Sequence, residues 1–122
     1  MGGNGWREMF SCPTAKRKLD ARAILVWHVF QGVMVTDSFH ARECRYNAYW
    51  QEIPNRWIDT RKRQPTEWDA DVQRCIIVLD KYGDIRMRGW HVVANASARE
   101  YPAWMPPPKP PEDYKALRKN AE

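Results

Sequence analysis

The strongest constraint on this chain is that it repeats itself. Pro13-Thr14 and the run Arg22-Ala23-Ile24-Leu25-Val26 return 52 positions later as Pro65-Thr66 and Arg74-Cys75-Ile76-Ile77-Val78, and Trp57 answers Trp6 to within one residue. Phe30, Val33 and Val35 fall opposite Tyr82, Ile85 and Met87, and Tyr49-Trp50 followed by Pro54 resembles Ala103-Trp104 followed by Pro108 at a displacement of 54. A repeat of this length means one supersecondary unit built twice, over about residues 6–54 and 57–108. Neither stretch of about 50 residues can bury enough apolar surface to be comfortable alone. The expectation is therefore a mainly β, small α+β protein: two similar hairpin-containing units packed with pseudo-two-fold symmetry around strands Arg22–Val29 and Arg74–Leu79.

Each unit reads as a Trp, a Pro-Thr turn, a strand, a reversal, a second strand, a variable excursion and a Trp-then-Pro ending. The first strands are almost continuously apolar, which suits strands buried on both faces. Gly32 and the run Asp80 to Asp84 with Gly83 supply hairpin loops. In the second hairpin Ile85 and Met87 alternate with Arg86 and Arg88, so the pleat collects both arginines on one face, expected to be wet or bound. Asp37-Ser38 is expected to cap a short helix over Phe39 to Asn47, and Val92 to Tyr101 to form a loop or weak helix. Five prolines in the seven residues from Met105 to Pro111 permit only extended polyproline II; this strap is expected to pack against Trp104. Glu112 to Glu122 has the charge order of a short helix. The division expected is residues 1–55, 56–111 and a tail or short helix at 112–122.

The 122 residues include seven tryptophans, five tyrosines and three phenylalanines, whose first role is packing. No apolar run approaches the roughly 18 residues of a membrane span. The opening Met-Gly-Gly-Asn-Gly-Trp lacks the regions of a secretory signal, so a cytoplasmic location in the host cell is expected. Cys12, Cys44 and Cys75 show no close pair, which argues against a disulfide framework.

Residues Trp57 to Pro111 resemble a small domain of unknown function found in phage and prophage proteins, often as the C-terminal module of early-region accessory proteins of lambdoid phages. That family opens on Trp-Ile and reaches a Pro about seven residues on, as Trp57-Ile58 and Pro65 do here. Its Val-Leu-Val strand is matched by Ile76-Ile77-Val78, and its Gly loop and aromatic strand by Gly83 and Trp90. It closes on Thr-His-Trp-Met-Pro-Leu-Pro, against which this chain has Pro102-Ala103-Trp104-Met105-Pro106-Pro107-Pro108, without the Thr-His pair or the Leu. The resemblance implies a phage origin and no established activity.

No catalytic constellation is legible, and neither enzyme activity nor a cofactor is expected. His40 and Cys44 at i,i+4, with Cys12 and His28, are the weak metal candidates; lacking a close cysteine pair, they are read as a buried Cys44 and a surface His40. Glu67, Asp69 and Asp71 read as a solvated approach to a strand rather than a cation site, and Cys75, in an apolar run, as inert. The basic inventory is more suggestive of binding. The net charge is +5, with Arg61, Arg63, Arg86 and Arg88 set near Trp90 and His91, a combination that serves a protein interface or a polyanion. The chain is thus expected to be a non-catalytic accessory protein that occupies a host protein or protein complex, a host-defence inhibitor such as an anti-CRISPR among the possibilities. The alternative is nucleotide or nucleic-acid binding through the Arg/aromatic face.

Overall fold

In a computed structural model, which describes residues 4–41 and 48–121, the chain forms two four-stranded antiparallel sheets with few helices. The first contains β1 (Arg7–Glu8), β2 (Ala23–His28), β3 (Gly32–Asp37) and β4 (Ala48–Glu52) in the order β1-β4-β2-β3. The second contains β5 (Ile58–Asp59), β6 (Cys75–Leu79), β7 (Ile85–Gly89) and β8 (Ala103–Met105) in the order β5-β8-β6-β7. Helices α1 (Trp90–Ala94) and α2 (Tyr114–Ala121) complete the assignment with short 3-10 turns. The protein is mainly β.

The repeat is written into the strand register. In the first hairpin Ile24 faces Thr36 and Val26 faces Met34; in the second Ile76 faces Arg88 and Val78 faces Arg86, each pair displaced by 52. The closing strands set Trp50 opposite Val26 and Trp104 opposite Val78. The indole Nε1 of Trp50 donates to Ser11 Oγ at 2.9 Å, and that of Trp104 to the Arg63 carbonyl at 2.8 Å. Ser11 and Arg63 are themselves repeat partners. A buried indole must place its one N–H on an acceptor, and both units solve this with the same loop position.

Each sheet has its own core on one face. Ile24, Val26, Ala41, Ala48, Trp50 and Cys12 cluster in the first unit; Ile76, Val78, Val93 and Trp104 cluster in the second. Burying an aliphatic side chain of this size contributes about 1.5–3 kcal/mol. At the hairpin tips, Asp80 Oδ1 accepts the N–H of Tyr82, and His28 Nδ1, its repeat partner, accepts that of Phe30. Gly83 supplies the left-handed residue of the second tip, at φ 82°.

The two compact units are Met1–Ile53 with Pro108–Glu122, and Pro54–Pro107. Residues 108–122 thus group with the first unit, where the sequence reading ran the second unit on to Pro111. Trp6, 3% exposed, donates its indole N–H to the Lys109 carbonyl at 2.7 Å. Asn4 Nδ2 donates to the Pro110 carbonyl at 2.8 Å, Pro111 is fully buried, and Arg118 Nε from α2 reaches the Val29 carbonyl at 2.8 Å. A proline-rich segment carries acceptors without ladder duties, and these meet the donors of Asn4 and Trp6. The indole N–H of Trp104, the residue expected to receive this segment, is bonded to the Arg63 carbonyl.

Asp37 does cap a turn, its Oδ1 accepting the N–H of Phe39 at 3.0 Å and of His40 at 2.8 Å. Most of the helix expected over Phe39 to Asn47 lies outside the described residues. The stretch from Val92 begins inside α1 and then turns, so it is part helix and part loop. Among the described residues no helix is long and apolar enough to cross a membrane.

Candidate functional site

The second unit contains a rigid surface turn between β5 and β6. Thr66 and Asp69 form a capping box around the 3-10 turn Glu67–Asp69: the Asp69 carboxylate accepts the Thr66 N–H at 2.8 Å and its hydroxyl at 3.1 Å. The Arg63 guanidinium grips the same carboxylate with two bonds of 3.1 Å and lies 4.8 Å from the Trp104 ring centroid. Burial alone would raise the Asp69 pKa, but the Arg63 and Thr66 donors hold it below the ordinary carboxylate value. Two residues on, Asp71 Oδ1 accepts the N–H groups of Gln73 at 2.9 Å and Cys75 at 3.0 Å. Arg74 closes this turn at φ 65°, a left-handed conformation costly to a residue with a Cβ.

These two locks flank a segment that turns large apolar groups outward. Trp68 is 88% exposed and Val72 94%, while Ala70 between them packs on the core. The acids expected to be a solvated approach are half right: Glu67 is exposed, whereas Asp69 and Asp71 are consumed as turn locks. Trp68 was not among the expected site residues. Its signal is local: Thr66-x-x-Asp69 around it is a capping box, which places Trp68 on a turn, and its repeat counterpart is the polar Lys16.

The expected binding residues are distributed rather than gathered. Arg86 and Arg88 share one face of β7, as the alternation required, and that face is the one carrying Val78 and Ile76. Arg86 is paired, with Nε 3.1 Å from Asp80 and Nη2 3.5 Å from Asp84. Arg88 donates Nη1 to the Met87 carbonyl at 2.9 Å. Trp90 is half-buried on the core cluster, and among the described residues its Nε1 is buried without a hydrogen-bond partner. His91 is exposed, with its ring lying over Gly89, where an added Cβ would come 2.9 Å from His91 Cε1. Arg61 is exposed beyond β5, and Arg63 is structural, held between Asp69 and Trp104.

Among the described residues the metal candidates do not assemble. Cys12 is buried in the first core, His28 uses Nδ1 to accept the Phe30 N–H, and His40 Nδ1 is 2.9 Å from Asp37; Cys44 lies outside the described residues. Among the described residues no group of three or more His, Cys, Asp or Glu side chains could hold a metal ion. Burial, and then the Asp71 charge, push the Cys75 thiol up, away from the reactive thiolate.

No family model, curated protein or solved structure matches the chain.

Proposed function

We propose that the chain is a non-catalytic binding protein of phage or prophage origin that occupies a host protein in the cytoplasm, with Trp68 as its anchor. The observation that carries this reading is a tryptophan 88% exposed on a turn fixed by four hydrogen bonds to one carboxylate. An aromatic carried on a backbone turn fixed before binding saves the cost of ordering that backbone on contact, and aromatic residues dominate interface energetics. A host-defence complex is one class of target that suits a protein of this size. The polyanion alternative, through Arg86 and Arg88, is weakened by Asp80 and Asp84, which already neutralise Arg86.

The test is affinity capture from host lysate with and without nuclease, using wild type and Trp68→Ala. A single nuclease-resistant host protein, recovered on wild type and weakened roughly 30-fold by the substitution at unchanged urea stability, is expected. Equal recovery on both, or recovery only of nuclease-sensitive nucleic acid, refutes the reading. We further propose that the two units are degenerate copies of one unit, a reading supported by their common strand order and register, and that a stretch of about 50 residues is not stable alone. Residues 54–107 expressed alone then show no cooperative thermal transition, and a cooperative one overturns that dependence.

A further inference from the structure

Among the described residues β7 is an edge strand, with β6 its sheet neighbour on one side alone. Two bonds show which of its backbone groups are used. Trp90 N–H donates to the Arg74 carbonyl at 3.0 Å, and Asp80 N–H to the Asp84 carbonyl at 2.9 Å, which marks pairs 74/90 and 80/84 as hydrogen-bonded. Antiparallel pairs alternate between bonded and non-bonded, so Arg86 and Arg88 turn their N–H and C=O groups toward β6. Ile85 and Met87 turn theirs out of the sheet. Among the described residues these outward groups meet one side chain, the Arg88 guanidinium on the Met87 carbonyl.

We propose that this edge receives an extended partner segment by strand addition, and that the segment alternates acidic and apolar residues. Both halves of the pattern come from β7. An added strand would run beside Arg86 and Arg88 on one face, where cross-strand carboxylates are favoured. On the other face it would run beside Ile85 and Met87, which take apolar neighbours. Arg86 already has Asp80 and Asp84, so Arg88, whose hydrogen bond goes to a neutral carbonyl, is the guanidinium available to a carboxylate fork.

The same contact explains how the edge is guarded. A bare edge invites indiscriminate pairing, and a charged side chain folded over it blunts that tendency. When an acidic segment arrives, its carboxylate draws the Arg88 guanidinium away, and the freed Met87 carbonyl accepts an N–H of the incoming backbone. A neutral or basic segment offers nothing to move the arginine. The device belongs to the second unit alone, because the repeat partners of Arg86 and Arg88 on β3 are Met34 and Thr36. It rests on different residues from Trp68, so each proposal fails separately.

The experiment uses the full chain and two fluorescein-labelled hexapeptides, Glu-Val-Glu-Val-Glu-Val and Lys-Val-Lys-Val-Lys-Val. Saturable anisotropy is expected with the first, at least tenfold tighter than with the second. Amide exchange of Ile85 and Met87 should slow at least tenfold on binding, with Arg86 and Arg88 unchanged because their amides are already in the ladder. Met87→Pro removes an outward N–H without taking a ladder bond, and should abolish binding. Arg88→Glu, the second variant should proline disturb the fold, should reverse the preference toward the lysine peptide. Absence of saturable binding by the glutamate peptide, binding that survives either folded variant unchanged, or protection that misses Ile85 and Met87 overturns the proposal.

Discussion

Replacing Asp69 with Asn tests whether one carboxylate holds the Trp68 turn. In wild type that side chain, 13% exposed, accepts two bonds from Arg63 and two from Thr66. Asn retains one acceptor oxygen and loses the charge. A cap of this kind contributes about 1 kcal/mol; the Arg63 pair, half open to solvent, contributes about 0.5–1 kcal/mol after screening. Because the retained oxygen can keep the Thr66 N–H, the variant should be about 0.5–1.5 kcal/mol less stable at neutral pH. The pH dependence sharpens the test. Because the folded Asp69 pKa lies below its ordinary 3.8, the stability tied to its ionised form is complete above about pH 5 and lost as pH falls through the folded value. Below that value wild type carries a neutral carboxyl, and its advantage over the Asn variant should shrink toward zero. Urea unfolding followed by tryptophan fluorescence at pH 7 and near pH 2.5, on both proteins, measures the difference directly. A gap of equal size at both pH values, or one under about 0.3 kcal/mol at pH 7, refutes the assignment.

Two further substitutions probe the frame. Trp6→Phe removes the donor to the Lys109 carbonyl and should cost about 1–3 kcal/mol, seen as a lower urea midpoint and faster tryptic cutting at Arg118 and Lys119. Unchanged cutting would show that the C-terminal segment is held otherwise. Arg74→Gly relieves a φ of 65° and should raise stability by up to about 1 kcal/mol in the same assay; a loss would mean the Arg74 side chain does more than its backbone suggests.

Much of the fold is legible in the residues because its causes are local. Ile24 to Trp27 and Cys75 to Leu79 are continuous apolar runs, and both are central strands. Gly83 permits the reversal between β6 and β7, and the 52-residue displacement carries over into the register. What could not be read depends on distant pairings. The proline run declares an extended backbone and says nothing of its destination, which Trp6, more than a hundred residues earlier, decides by hydrogen bond. Arg86 and Arg88 alternate visibly with Ile85 and Met87. That Arg86 would be neutralised by Asp80 and Asp84 follows from the shape of the hairpin tip rather than from spacing. Trp68 was obscured by company: Trp6, Trp50 and Trp104 are core anchors, and lacking a tryptophan repeat partner does not mark an outward one, because Trp27, opposite Leu79, lacks one too and is buried.

The return of residues 108–122 to the first unit has a consequence for how the protein is made. A ribosome delivers the strands of the first unit before those of the second, yet the carbonyl that satisfies Trp6 emerges only after the whole second unit has been made. At roughly 5–20 residues per second, the nascent N-terminal sheet waits several seconds with an unmet indole and an unfilled seat for Pro111. The second unit is unbroken in sequence and has no such wait. Synthesis order and completion order of the two units are therefore reversed, and a premature stop after Pro107 injures the unit whose strands were translated first.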